Sequence, residues 1–204
     1  VGAPVLSAHP RDPCACACRS VFDDDNIVHV SGRISPRDDI EIINTELALA
    51  DLETLEKVYE KTRRTANSGD KDALALLAVL DKVKDRLESG DPVRSVDLSK
   101  QDRFAIREFH FITAKPVLYI ANVAEDGLEN NPLVDEVSAI AAAEGSEVVV
   151  VSNQIEAEVA ELEDEERAEF LDSLGIEEPG FNRLIRAGYK LLGLQQYFTA
   201  GPQE

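Results

Sequence analysis

Methionine is absent from all 204 residues, position 1 included, so the chain is expected to be a piece of a longer protein. Cysteine is scarce: all three lie in Cys14-Ala-Cys16-Ala-Cys18. That pattern can hold a soft metal, but a closed zinc site needs four ligands and no matching Cys or His pair follows. Positive charge is also short. Lys and Arg number 21 against 40 Asp and Glu, a net charge of −19. Phosphate binding needs clustered cations, so direct DNA binding is not expected. No apolar run approaches the ~20 residues of a membrane span, and no signal-peptide core is present. A cytoplasmic chain without a membrane partner is the default reading. The loop G-x-x-x-x-G-K-[ST], which cradles phosphates, is missing as well.

What is there is 44% hydrophobic, enough for a real core. The acids spread over helical segments and read simply as solvated faces. Val1–Val21 differs from the rest, with Pro4, Pro10, Pro13 and all the cysteine. Back-translated with permissible codons and shifted by one base, His9–Phe22 spells Ile-Arg-Glu-Thr-His-Ala-His-Ala-His-Val-Val-Arg-Cys-Phe. That alternative holds an apolar strand near its end, and the written frame holds none. We hypothesise that residues 1–21 are an out-of-frame translation.

Pro36 in a first turn and Asp38-Asp39 against the helix dipole start a long helix, expected over Asp38–Ala66. Ile42, Leu49, Leu52, Leu55 and Tyr59 make its apolar stripe, widened by Ile43, Leu47 and Val58. Ser68-Gly69-Asp70 breaks it. A second helix spans Lys71–Glu88, with Ala73, Leu76, Leu77, Leu80, Val83 and Leu87 at coiled-coil spacing. So short a break predicts an antiparallel hairpin that projects, either as an arm for a partner or as a plain helical subdomain. Arg63, Arg64 and Lys71 gather at its tip, which reads as solvated rather than RNA-binding. Ser99 and Asp102 form a capping-box pair before Phe104, Ile106, Phe109 and Ile112. His29 and His110 read as packed or surface residues, not ligands.

The second half alternates strand and helix. Val117–Ala121 is a strand-length apolar run, and Asn122-Val123-Ala124-Glu125 follows at its carboxyl end. Open α/β sheets bind ligands at that end. Asn131-Pro132 opens a helix in which Val134, Val137, Ile140 and Ala141 face the core, and Gly145 closes it. Glu147–Val151 reads as a buried parallel strand. Ser152-Asn153-Gln154 turns into a helix with Ile155, Val159 and Leu162. Two helices follow: Asp164–Leu174, capped by Asp164 and closed by Gly175, and Phe181–Leu192, whose Leu184, Ile185, Leu191 and Leu192 can cover a sheet face. This order predicts a right-handed βαβ unit.

Asn122-Val-Ala-Glu125-Asp-Gly127, with a helical pair inserted before its strand, resembles the YchF subfamily of Obg-like ATPases. So do DDDNIVHVSG (Asp23–Gly32), INTELALADLE (Ile43–Glu53), AAAEGSEVV (Ala141–Val149), IEAEVAEL (Ile155–Leu162) and EEPGFNRLIRAGYKLLGLQQYFTAG (Glu177–Gly201). The shifted reading of His9–Phe22 is also similar to this family just before Phe22. The resemblance implies the carboxyl-terminal half of a P-loop G domain, an α/β parallel sheet with an inserted helical hairpin. It divides the chain into an atypical segment (1–21), a G-domain remnant (22–37), a coiled-coil insertion (38–111), the end of the G domain (112–193) and a linker to a missing TGS domain (194–204).

It also implies a ribosome-associated hydrolase of ATP, and often GTP, with Mg²⁺ in the full-length protein. This chain lacks the phosphate loop and the switch segments, which supply positioning and charge neutralisation. It is therefore expected to be inactive alone and to need no cofactor. P-loop GTPases read guanine with Asn-Lys-x-Asp, whose Asp accepts from N1–H and the exocyclic amine. Here Val123 replaces the Lys and Glu125 the Asp, so guanine discrimination should relax. The resemblance assigns base contact to Asn122, Val123, Ala124 and Glu125, with Ser152, Asn153 and Gln154 as the second base-side loop. A non-enzymatic interaction module acting through the hairpin is the competing reading.

Resequencing the DNA that encodes His9–Phe22 should reveal a one-base shift; confirmation of the written frame contradicts the hypothesis.

Overall fold

A computed structural model describes residues 5–7, 15–20, 35–195 and 197, with side chains from residue 35 onward. Cys14, His29, most of the 22–37 segment and most of the 194–204 tail lie outside the described residues. The chain divides into two compact units, the first made of Val1–Ala17 and Asp25–Val117 and the second of Cys18–Asp24 and Leu118–Glu204.

The first unit is helical. Helix α1 runs Pro36–Ala66 and helix α2 runs Lys71–Glu88. Ser35 caps α1 by accepting from the Asp38 amide, with proline in the first turn and acids beside it. Gly69 takes a φ of 90° in the break, and Asp70 caps α2 by accepting from Ala73. At 31 residues α1 is about 46 Å long. The helices run antiparallel: the Tyr59 hydroxyl donates to Asp81 across the pair at 2.7 Å. Their core joins Leu55, Leu80, Val83 and Leu87 to Val93, Val96, Leu98, Ile106 and Phe111.

The buried face of α1 differs from the expected stripe. Ile42 and Leu49 are more than half exposed. Burial follows Ile40, Ile43, Leu47, Asp51, Leu55, Thr62 and Ala66, spaced mostly by three and four. Two apolar residues on the solvent side and one acid on the core side had shifted the apparent stripe. Helix α3, Lys100–Ile106, carries the Ser99–Asp102 capping box in full. A single 3-10 turn, Arg107–Phe109, continues it. Phe104 is 75% exposed, against expectation, while Phe111 is buried. His110 is exposed and left-handed (φ 54°), which lets the chain reverse after the turn.

Asp51 is 1% exposed and fully engaged. It accepts from the amides of Ile112 and Thr113, both at 2.7 Å, and from the Thr113 hydroxyl at 2.6 Å. The same hydroxyl accepts from Val93 N, and Thr113 O accepts from Arg94 N. One acid on α1 thus fixes two irregular segments that no regular element satisfies. Burial pushes the Asp51 carboxyl above the ordinary carboxylate value, opposed by the Thr113 and Ile112 donors and the Lys115 charge.

The second unit is α/β. Its strands are β3, Val117–Asn122, and β4, Glu147–Val151; strand β1, Val5–Ser7, and strand β2, Ala15–Ser20, precede them in a sheet ordered β1–β2–β3–β4, with β1 grouped in the first unit. A strand at Ala15–Ser20 departs from the reading that the written frame holds none near its end. Strands β3 and β4 are parallel, Asn122 opposite Val151. Between them helix α4, Pro132–Glu144, starts at Asn131, which accepts from Leu133, and ends at left-handed Gly145 (φ 68°).

Helices α5 (Asn153–Glu161), α6 (Asp164–Ser173) and α7 (Gly180–Leu191) follow. Ile155, Val159 and Leu171 form a small core under Leu128 and Phe170. Asp164 is not the cap of α6; Glu163 holds that place, and Asp164 pairs with Arg167 at 3.1 Å. Ile185 is half exposed rather than covering the sheet; Ala187 is the buried side chain of α7. Among the described residues no helix is long and apolar enough to cross a membrane, and no cluster of metal ligands occurs.

Replacing Asp51 strands three donors. Asp51→Ala should cost about 3 kcal/mol in urea unfolding at pH 7, and Asp51→Asn, which turns one acceptor into a donor, about 2 kcal/mol. Because the folded carboxyl holds its proton more tightly than the unfolded one, its contribution is greatest near and below the ordinary value and declines as pH rises through the elevated one. The penalty of Asp51→Ala should therefore be larger at pH 5 than at pH 7.

Candidate functional site at the strand ends

Asn122 is the last residue of β3 and Val151 the last of β4, so both strands end at one rim. The pairing continues one step further, with Val123 N donating to Val151 O at 2.8 Å. Beyond that step the two chains diverge, one into the Ala124–Gly127 turn and one into α5.

Asn122 holds them together. Its side-chain Oδ1 accepts from Asn153 N at 3.0 Å. Asn153 is the first residue of α5, whose opening amides have no partner in their own helix. Ser152 occupies the cap position yet makes no capping bond; its hydroxyl is buried and unpaired. The neighbouring strand's Asn122 thus caps a helix that its own serine does not. Asn153 and Gln154, expected in a turn, are instead the exposed first residues of α5, and the turn shrinks to Ser152.

The other expected residues differ in exposure. Asn122 is 7% exposed and Val123 only 1%. Val123 lies under the loop, 3.4 Å from where a Cβ on Gly127 would stand. Ala124 is half-buried, and Glu125 is exposed at the start of the single 3-10 turn Glu125–Gly127. That turn closes through Gly127 N donating to Ala124 O at 3.0 Å. The Asn131 amide donates to Gly127 O at 3.3 Å, so the cap of α4 also fastens this loop. A Cβ at Gly127 would come within 3.0 Å of that amide. The rim therefore places Asn122–Glu125 and Ser152–Gln154 side by side, with one exposed carboxylate and a buried amide between.

Two supporting residues escaped the sequence reading. Glu156 on α5 accepts from Gly180 N at 2.6 Å and Phe181 N at 3.2 Å, closing the amino end of α7. Arg183 donates to Val150 O at 3.0 Å on β4. Both contacts cross more than twenty residues, so no local pattern announces them.

The ribosome-binding ATPase YchF of Escherichia coli O157:H7 is 59% identical over 183 residues, 90% of this chain and 50% of that protein. The chain belongs to the YchF family. The ribosome-binding ATPase YchF of Bacillus subtilis is 47% identical over 192 residues, 93% of this chain and 52% of its own length. A solved YchF GTPase of Schizosaccharomyces pombe superposes with a TM-score of 0.81 at 28% identity, over 91% of this chain and 52% of that one. No family model matches the chain. It spans about half the length of the curated YchF relatives it matches.

The capping role of Asn122 separates cleanly from any ligand role. Asn122→Ala should lower stability by about 1–2 kcal/mol in urea unfolding. Asn122→Asp keeps the accepting oxygen and should stay within about 0.5 kcal/mol of the parent chain at neutral pH.

Proposed function

We propose that this chain carries the base-side half of the nucleotide site of a YchF-type, ribosome-associated ATPase. The observation that carries the reading is the rim itself: Asn122 ties the ends of two parallel strands, and Glu125 stands exposed one turn away. A base laid there meets a short polar loop from each strand. Asn122, Val123, Ala124 and Glu125 form one side, and Ser152, Asn153 and Gln154 the other. Buried Val123 supports the loop from beneath in the ligand-free chain.

Base choice follows from reach. A guanine-reading Asp accepts two hydrogen bonds in a fixed plane, and Glu125 places its carboxylate one carbon further out. Adenine supplies no matching donor pair, so the loss for guanine is a gain in relative adenine acceptance. The relatives' descriptions carry both names, ATPase for the bacterial proteins and GTPase for the yeast one. In the full-length protein Mg²⁺ and a phosphate loop would supply the charge neutralisation that phosphoryl transfer needs. The phosphate loop is not among these 204 residues, so the chain alone binds weakly and does not turn over. The Asp38–Glu88 hairpin, read as a coiled-coil arm, is the natural contact for the ribosome, in the cytoplasm.

Titration of the isotope-labelled chain with ATP and with GTP tests this. Amide shifts should be confined to residues 122–127 and 152–155, with affinities for the two nucleotides within about threefold. Glu125→Asp should move the preference several-fold toward GTP. Phosphate release above background, or shifts away from the rim, contradicts the proposal.

A further inference from the structure

The helical unit contains an open groove that the nucleotide reading does not use. It lies between the hairpin and the α3 segment and encloses about 830 Å³. A cavity of about 150 Å³ takes one benzene-sized group, so this groove has room for several side chains. Its floor is apolar: Val58 of α1, Leu76 and Val79 of α2, and Phe109 after α3. These belong to or pack on the main helical core, so the floor is fixed rather than collapsible. Ala73 and Ala105 leave the walls low.

The rim is mostly acidic. Asp70, Asp72, Asp102 and Glu108 line it against a single cation, Lys61. Asp70 is fixed as the cap of α2, and the Asp102 carboxylate is fixed by accepting from Ser99 N in the capping box of α3. Phe104, 75% exposed, sits on α3 three residues from the groove-lining Gln101. Residues so spaced are neighbours on a helix surface. A large, nearly bare aromatic beside an apolar groove is a typical protein-docking anchor.

We propose that this groove docks a basic amphipathic peptide segment of a protein partner. Apolar side chains of the segment enter over Val58, Leu76, Val79 and Phe109. Its Lys or Arg residues meet Asp72, Asp102 and Glu108 at the rim, and Phe104 covers one flank. The charge pattern selects the occupant, since an acidic segment or a nucleic acid would face four carboxylates. The proposal is independent of nucleotide binding and stands or falls without it.

The test is fluorescence anisotropy of the full chain with a labelled 16-residue peptide carrying Leu on one helical face and Lys on the other. Micromolar binding is expected. The paired charge reversal Asp72→Lys with Glu108→Lys should weaken it at least tenfold, and Phe104→Ala at least threefold, with circular dichroism confirming an unchanged fold. A matched reversal on α6, Glu165→Lys with Glu166→Lys, controls for attraction to an acidic chain and should change binding less than twofold. Equal weakening by the α6 pair, equal binding of an all-Lys peptide without Leu, or displacement of the peptide by single-stranded RNA would each overturn the proposal.

Discussion

A single hydrogen bond, from the Asn153 amide to the Asn122 side-chain oxygen, governs the rim of the sheet. Two parallel strands end together here, and one step past the ladder Val123 N still donates to Val151 O. A parallel pair cannot be closed by a tight hairpin; its ends are connected through a crossover helix, here α4. Without a lateral tie the following loops would separate. Asn122 supplies that tie from a buried position and caps α5, leaving the Ser152 hydroxyl without a protein partner. Glu125 is free of such duty and stands in solvent. The division between a fixed amide and an exposed acid suits the base-side role proposed for this loop: one group holds the shape and the other is free to meet a ligand.

The helical unit follows the same logic with a different residue. Asp51 is an acid placed where the helix pattern calls for an apolar side chain, and three donors from an irregular segment converge on it. Burying a carboxylate is costly, and here the hydrogen bonds offset only part of the cost, so the carboxyl stays above its ordinary value. The segment fixed in this way, Ile112–Thr113, leads directly into β3.

Much of this was legible in the sequence because the signals are local. Ser35-Pro36, Asp70, Ser99 with Asp102, Asn131-Pro132 and Gly145 each act within four residues, and the helices begin and end where they indicate. Strand β4 matched the valine run of Val148–Val151. What stayed hidden depends on partners far along the chain. Ile42 and Leu49 look like core by type but face solvent, whereas Asp51 looks like surface and is buried. Glu156 closing α7 and Arg183 holding β4 are contacts of the same long-range kind. At the site, residue identity and family resemblance named the two loops; only the structure showed that Asn153 and Gln154 belong to a helix, with Asn122 as its cap.

The most direct test of the central claim is covalent. Irradiation of the chain with 8-azido-ATP and with 8-azido-GTP, followed by mass-spectrometric mapping, reports where each purine rests. The account predicts labels from both nucleotides on residues 122–127 and 152–155, each reduced by unlabelled ATP. Labelling confined to the helical hairpin, or to the guanine probe alone, would contradict it.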